Sequence, residues 1–182
     1  MPLRAHTFLT GVPLHDVWAV DLPRLSGTVS LAELLRRAGP TRLIGRLPPA
    51  ARTLLRLRFF LGRIFRLEAA PRDAGASSFA SRLTDEDCAR SLVEAGTPEG
   101  PFRVVYRFEN EQLVELHNRT AHAATVSALV QTPSGYRFYF AVYVGNTGWI
   151  TPIYMALIDP FRKWIVYPAL LRNVRAAWME CA

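Results

Sequence analysis

The chain has almost no lysine. Of its 22 basic residues, Lys163 alone is not arginine, so the formal charge of +7 is carried by scattered arginines. That pattern reads as a coding bias and a solvated surface more than as a polyanion-binding face. Neither a zinc finger nor an aromatic RNP-type strand accompanies it, which argues against nucleic acid. Cysteine is equally scarce. Cys88 and Cys181 stand far apart without a CxxC pair or a Cys/His cluster, so little favours a disulfide, no cysteine-based zinc site is available, and no metal is expected. No glycine-rich phosphate loop precedes a helix, and nucleophile elbows and paired catalytic acids are missing, so no cofactor is expected. The pairs Asp16/Asp21 and Glu109/Glu111/Glu115 fall on strands or turns and read as solvent-facing charges. The N-terminal stretch MPLRAHTFLTGVPLHDVW lacks the apolar core and cleavage site of a secretory signal, which makes the cytoplasm the expected location.

Long uncharged runs are rare too, with one exception. FYFAVYVGNTGWITPIYMALI, residues 138–158, carries no charge and has the length of a bilayer span, for which about 20 apolar residues suffice. It divides on inspection. Phe138 to Val144 continues an alternation begun at Tyr136, Gly145-Asn146-Thr147-Gly148 interrupts it, and Trp149 to Ile158 is a separate short segment. Neither part spans as a helix, so no transmembrane segment is expected. Residues 145–149 become the candidate mouth of any cavity.

What is present is half hydrophobic and one fifth charged, the composition of one globular domain over residues 1–182. His15 to Leu22 alternates as a half-buried strand. Ser30-Leu31-Ala32-Glu33 has capping-box spacing and Gly39 a stop, which predicts a helix over Leu31 to Ala38. From Pro49 to Leu67 apolar residues and arginines segregate to opposite faces of a basic amphipathic helix, and such a helix admits a weak contact with an anionic membrane. Thr84 followed by Asp85, Glu86 and Asp87 reads as the capped start of a helix ending at Gly96. Four strands follow, Phe102 to Phe108, Leu113 to Asn118, Ala123 to Gln131 and Tyr136 to Val144, the last pair joined by the turn Thr132-Pro133-Ser134-Gly135. After Asp159-Pro160 the apolar residues recur at helical spacing to Trp178, with a kink expected at Pro168.

This order, and two segments in particular, PAARTLLRLRFFLGRIFRL near the front and IDPFRKWIVYPALL after the last strand pair, resemble an uncharacterised bacterial domain family of the START/SRPBCC superfamily. The superfamily includes lipid carriers, pollen-allergen proteins and polyketide aromatase/cyclases. The resemblance implies an α+β helix-grip fold, in which a curved antiparallel sheet wraps around the long C-terminal helix. It also implies a cavity between them for a hydrophobic or amphipathic small molecule, a lipid, polyketide or aromatic compound, and brings no catalytic residues with it.

If the apolar set of each strand faces that helix, the lining falls to Tyr106, Phe108, Leu116, Phe140 and Val142, with Trp149 and Tyr154 from the segment beyond. His117, or else Tyr106, is the candidate acid or base should the cavity host lyase, cyclase or hydratase chemistry, because such chemistry needs one proton-exchanging group in an apolar pocket.

Overall fold

Capping and alternation decide where the elements begin. In a computed structural model, which describes residues 3–25, 27–39, 78–117, 122–145, 156 and 159–181, a one-turn helix α1 (Ala5–Phe8) precedes strand β1 (Leu14–Pro23) and helix α2 (Leu31–Ala38). Ser30 caps α2 by accepting from Glu33 N, as its spacing predicts, while the Glu33 carboxylate turns instead to Arg36 and Arg37. The amphipathic segment from Pro49 to Leu67 lies outside the described residues, and so do Trp149 and Tyr154.

After a 3-10 turn at Phe79–Arg82 comes helix α3 (Asp85–Arg90), opened by a capping box between Thr84 and Asp87. It stops at Arg90 rather than at Gly96, because Ser91 takes an extended backbone and its hydroxyl turns to Val93 O. A two-residue strand β2 (Pro98–Glu99) then leads into β3 (Phe102–Arg107), β4 (Glu111–His117), β5 (His122–Thr132) and β6 (Gly135–Gly145). β2 to β6 form an antiparallel meander and β1 pairs with β6, which orders the six-stranded sheet β1-β6-β5-β4-β3-β2. Gly135 is required where the hairpin meets β1. Its φ is +155°, and a Cβ there would stand 2.4 Å from Leu22 O.

The chain closes with a long helix. A π-helical segment at Arg162–Val166 runs into α4 (Tyr167–Met179). Pro168 supplies no N–H and crowds the preceding turn, and the wider π turn just before it absorbs that demand where a kink is expected. α2 and α4 pack together on one face of the sheet, burying Leu31, Leu34, Val174, Ala177 and Trp178 against Leu22, Leu129 and Phe138. Among the described residues no helix is long and apolar enough to cross a membrane, and both cysteines are free.

The opposite face carries a second core. There α1 and Phe79 cover Val105, Tyr106, Phe108, Leu113, Ala124 and Val126. This face overturns the reading of Glu111 and Glu115 as solvent-facing: they are 5% and 6% exposed. Glu111 accepts from the Arg4 and Ala5 amides and from Tyr106 Oη. Glu115 accepts from the Ser78 hydroxyl, Phe79 N and His122. Burial opposes the charge on Glu115, but those donors outweigh it and hold its carboxyl below the usual range. Glu109, the third of the set, is exposed as expected.

Arg4 fixes the same N-terminal segment to α3 through Asp87, at 3.1 and 3.0 Å. The hydrogen bond from Arg4, helped by Thr84 and opposed by burial, brings the Asp87 carboxyl from 3.8 down to about 2. A folded value below the unfolded one means that this stabilisation is complete above the unfolded value and lost as pH falls from about 4 to about 2. Urea midpoints measured at pH 6, 4, 3 and 2 are expected to fall across that window. The fall should be shallower in Asp87→Asn, and an equal slope in both proteins would refute the assignment.

Candidate functional site

The side of the sheet under α2 and α4 is not a plain apolar floor. Residues directly opposite one another share a face, so the register defines rows across it. One row runs Arg107, Gln112, Ser127, Phe140, Trp18, and the next runs Val104, Val114, Thr125, Val142, Asp16. Leu116 and Ala123 lie one step further along. Gln112, Ser127 and Thr125 are polar yet only 4%, 8% and 9% exposed. Aromatic rings close the β1 end: Tyr167 of α4 lies 5.3 Å from Trp18 and 5.8 Å from Phe140.

A charged network borders each end of this surface. At the β3 edge, Arg107 binds Glu99 at 2.6 Å and Gln112 at 2.6 Å, and Gln112 returns a bond to Glu99 at 3.0 Å. Beside it a cleft of about 430 Å³ opens between α2 and this edge, lined by Ala32, Leu35 and Arg36 on one wall and Glu99 and Arg107 on the other. That volume falls within the range of small-molecule pockets.

At the β1 edge five charged or titratable groups converge. His15 Nε2 lies 2.9 Å from both Asp159 oxygens, and Arg162 and Lys163 lie 3.3 and 3.5 Å from the same carboxylate. Lys163 is also 3.6 Å from Asp16 Oδ1. Burial works against the charge of Asp159, but His15, Arg162 and Lys163 outweigh it and hold the carboxyl below the usual range. Arg162 also donates to the Tyr167 hydroxyl, whose titration burial nevertheless pushes up to about 12. The π segment brings Arg162 and Lys163 to this place, and π turns recur at functional sites. Asp16, whose side chain is 10% exposed, is therefore not the solvent-facing charge expected of it, whereas Asp21 is exposed and pairs with Arg137.

The comparisons with known proteins add one fact about identity. The model of DUF2867, a family of proteins of unknown function, matches residues 8–169. The chain belongs to that family. Searches of curated proteins and of solved structures found no match.

The expected lining divides between the two faces of this DUF2867 protein. Phe140, Val142 and Leu116 lie on the helix-covered side. Tyr106 and Phe108 lie on the other, stacked on each other at 4.4 Å beneath α1. The cause is a bulge in β3: Val104 stands opposite Val114 but Tyr106 opposite Leu113, and a one-residue slip turns a side chain to the other face. His117 is on the α1 side as well, stacked on His122 at 4.2 Å, so it does not face the helices. His15, Asp16, Arg162 and Lys163 escaped the sequence reading. The spacing of Asp159, Arg162 and Lys163 at i, i+3 and i+4 was the available signal, since it places opposite charges together on a helix.

Proposed function

We propose that the protein binds a hydrophobic or amphipathic small molecule, a lipid, polyketide or aromatic compound, between the sheet and its two covering helices in a helix-grip arrangement. The sheet order, with β1 joining the far end of a meander and the terminal helix lying across it, supports the arrangement. One observation carries the ligand reading. Thr125 and Ser127 occupy central positions on the helix-covered face, between the aromatic end and the edge where Arg107 and Glu99 hold Gln112. A surface meant to be filled by aliphatic side chains gains nothing from buried hydroxyl groups, whereas a pocket needs a few such groups to orient its ligand. The cluster at His15 and Asp159 then meets the polar end of the molecule.

A second reading, catalysis on the bound molecule by a lyase, cyclase or hydratase, draws on one observation. The helix-covered side does hold a titratable pair, His15 with Asp159, while His117 belongs to the other face. Proton exchange is therefore assigned to His15 within this reading.

Native mass spectrometry of protein purified from cells tests binding, with Ser127→Trp as the filled control. The expected result is a bound mass of a few hundred daltons, the ordinary size of a pocket ligand, that is extractable into organic solvent and absent from Ser127→Trp. The chain mass alone, together with no displaceable binding of a fluorescent naphthylamine probe, would contradict it.

A further inference from the structure

We propose that His15, Asp16 and Asp159 form a site for a divalent ion of the zinc, cobalt or manganese class. Their donor atoms lie within 4.8 Å of one another. His15 Nε2 is 2.9 Å from each Asp159 oxygen and 3.6 Å from Asp16 Oδ2. Ligands bound at about 2.0–2.2 Å to one ion stand roughly 3 Å apart, so the three groups need little movement to share one.

An independent observation points the same way. Asp16 Oδ2 is buried and accepts no hydrogen bond among the described residues. Its neighbours His15 Nε2 and Arg162 Nη2 stay 3.6 and 3.8 Å away, too far for a hydrogen bond. Arg162 and Lys163 offset the charge of this carboxylate from a distance, but a buried oxygen that accepts no hydrogen bond is costly, and direct coordination to an ion would satisfy it. The register and the terminal helical stretch set the trio, because Asp16 is held in the ladder opposite Val142 and Asp159, 144 residues from His15, lies in helical backbone just before the π segment.

Charge decides what the ion must displace. Two carboxylates already face Arg162 and Lys163. Arg162 is bonded to Tyr167 and stays. Lys163 Nζ approaches the carboxylates at 3.6 and 3.5 Å without a hydrogen bond, and its side chain is 41% exposed, so it can swing into water. One imidazole and two carboxylates suit zinc, cobalt or manganese better than a soft monovalent ion, and leave coordination positions for water or for a ligand in the adjoining space. The inference goes beyond small-molecule binding and does not depend on it.

The test is calorimetric titration of the full, tag-free, chelator-treated chain with Zn²⁺, and with Co²⁺ followed by its visible absorption. One saturable equivalent and a Co²⁺ band are expected. Asp16→Asn and His15→Ala should each weaken binding at least tenfold. Lys163→Gln, at a half-exposed position where folding is not at risk, should tighten it about threefold or more because a repelling charge is gone. Absence of saturable binding, binding indifferent to His15 and Asp16, or Lys163→Gln that fails to tighten would each overturn the site. Since the readout is the ion alone, failure here leaves the small-molecule reading to its own experiment.

Discussion

Glu111→Ala is expected to cost about 3–5 kcal/mol of folding stability, read as a shift in the urea midpoint, because one carboxylate satisfies three buried or half-buried donors. Its oxygens take the Arg4 amide at 2.9 Å, the Ala5 amide at 2.7 Å and the Tyr106 hydroxyl at 2.5 Å. The first two are free N–H groups at the start of α1, which has no capping side chain of its own. A residue 106 positions away thus caps the helix. Tyr106 is fully buried, and burial first, then Glu111, drives its titration far above the ordinary value, so its hydroxyl stays a donor and is stranded when the carboxylate goes. Each stranded donor is worth about 1–3 kcal/mol, reduced where α1 frays and water enters. Glu109→Ala, at an exposed position, should change stability by less than about 0.5 kcal/mol. Equal effects at the two positions would contradict the assignment.

Trp178→Ala is expected to cost about as much, about 3–5 kcal/mol, for a different reason. Trp178 is 0% exposed at the centre of the core between α2, α4 and the sheet, against Tyr136 at 5.1 Å. Its indole Nε1 donates to Pro23 O at 2.8 Å, at the end of β1. The substitution removes the largest fully buried side chain among the described residues and leaves a cavity that strands on one side and two helices on the other cannot easily close. Trp178→Phe separates the two contributions: it keeps most of the packing and should lose about 1–2 kcal/mol, chiefly the bond to Pro23. Chemical denaturation of the three proteins checks the order.

The parts of the fold that could be read from sequence are those set by local chemistry. Ser30 with Gly39 bounded α2, Thr84 with Asp87 opened α3, and alternation located five of the six strands to within a residue or two. The two-residue β2 and the four-residue α1 carry too little periodicity to be seen. Facing was the harder problem. Alternation says which residues of a strand lie together, but a bulge such as the one between Val104 and Tyr106 breaks the pattern without marking the sequence, and Tyr106 parted from Phe140 and Val142 there. Charged strand residues misled for a related reason. Glu111 and Glu115 look solvated until α1, Ser78 and Phe79 arrive from distant sequence to supply donors. The cluster at His15 is likewise a product of tertiary structure, because only the pairing of β1 with β6 and the course of the terminal helix bring it to Asp159.

The most direct test of a small-molecule site beneath the terminal helix is a crystal structure of the protein purified from cells without added ligand. Non-protein density is expected over Ser127 and Phe140, with its polar end towards Asp16 and Asp159. Side chains packed continuously from Gln112 to Tyr167, with no opening and no density between sheet and helices, would contradict it.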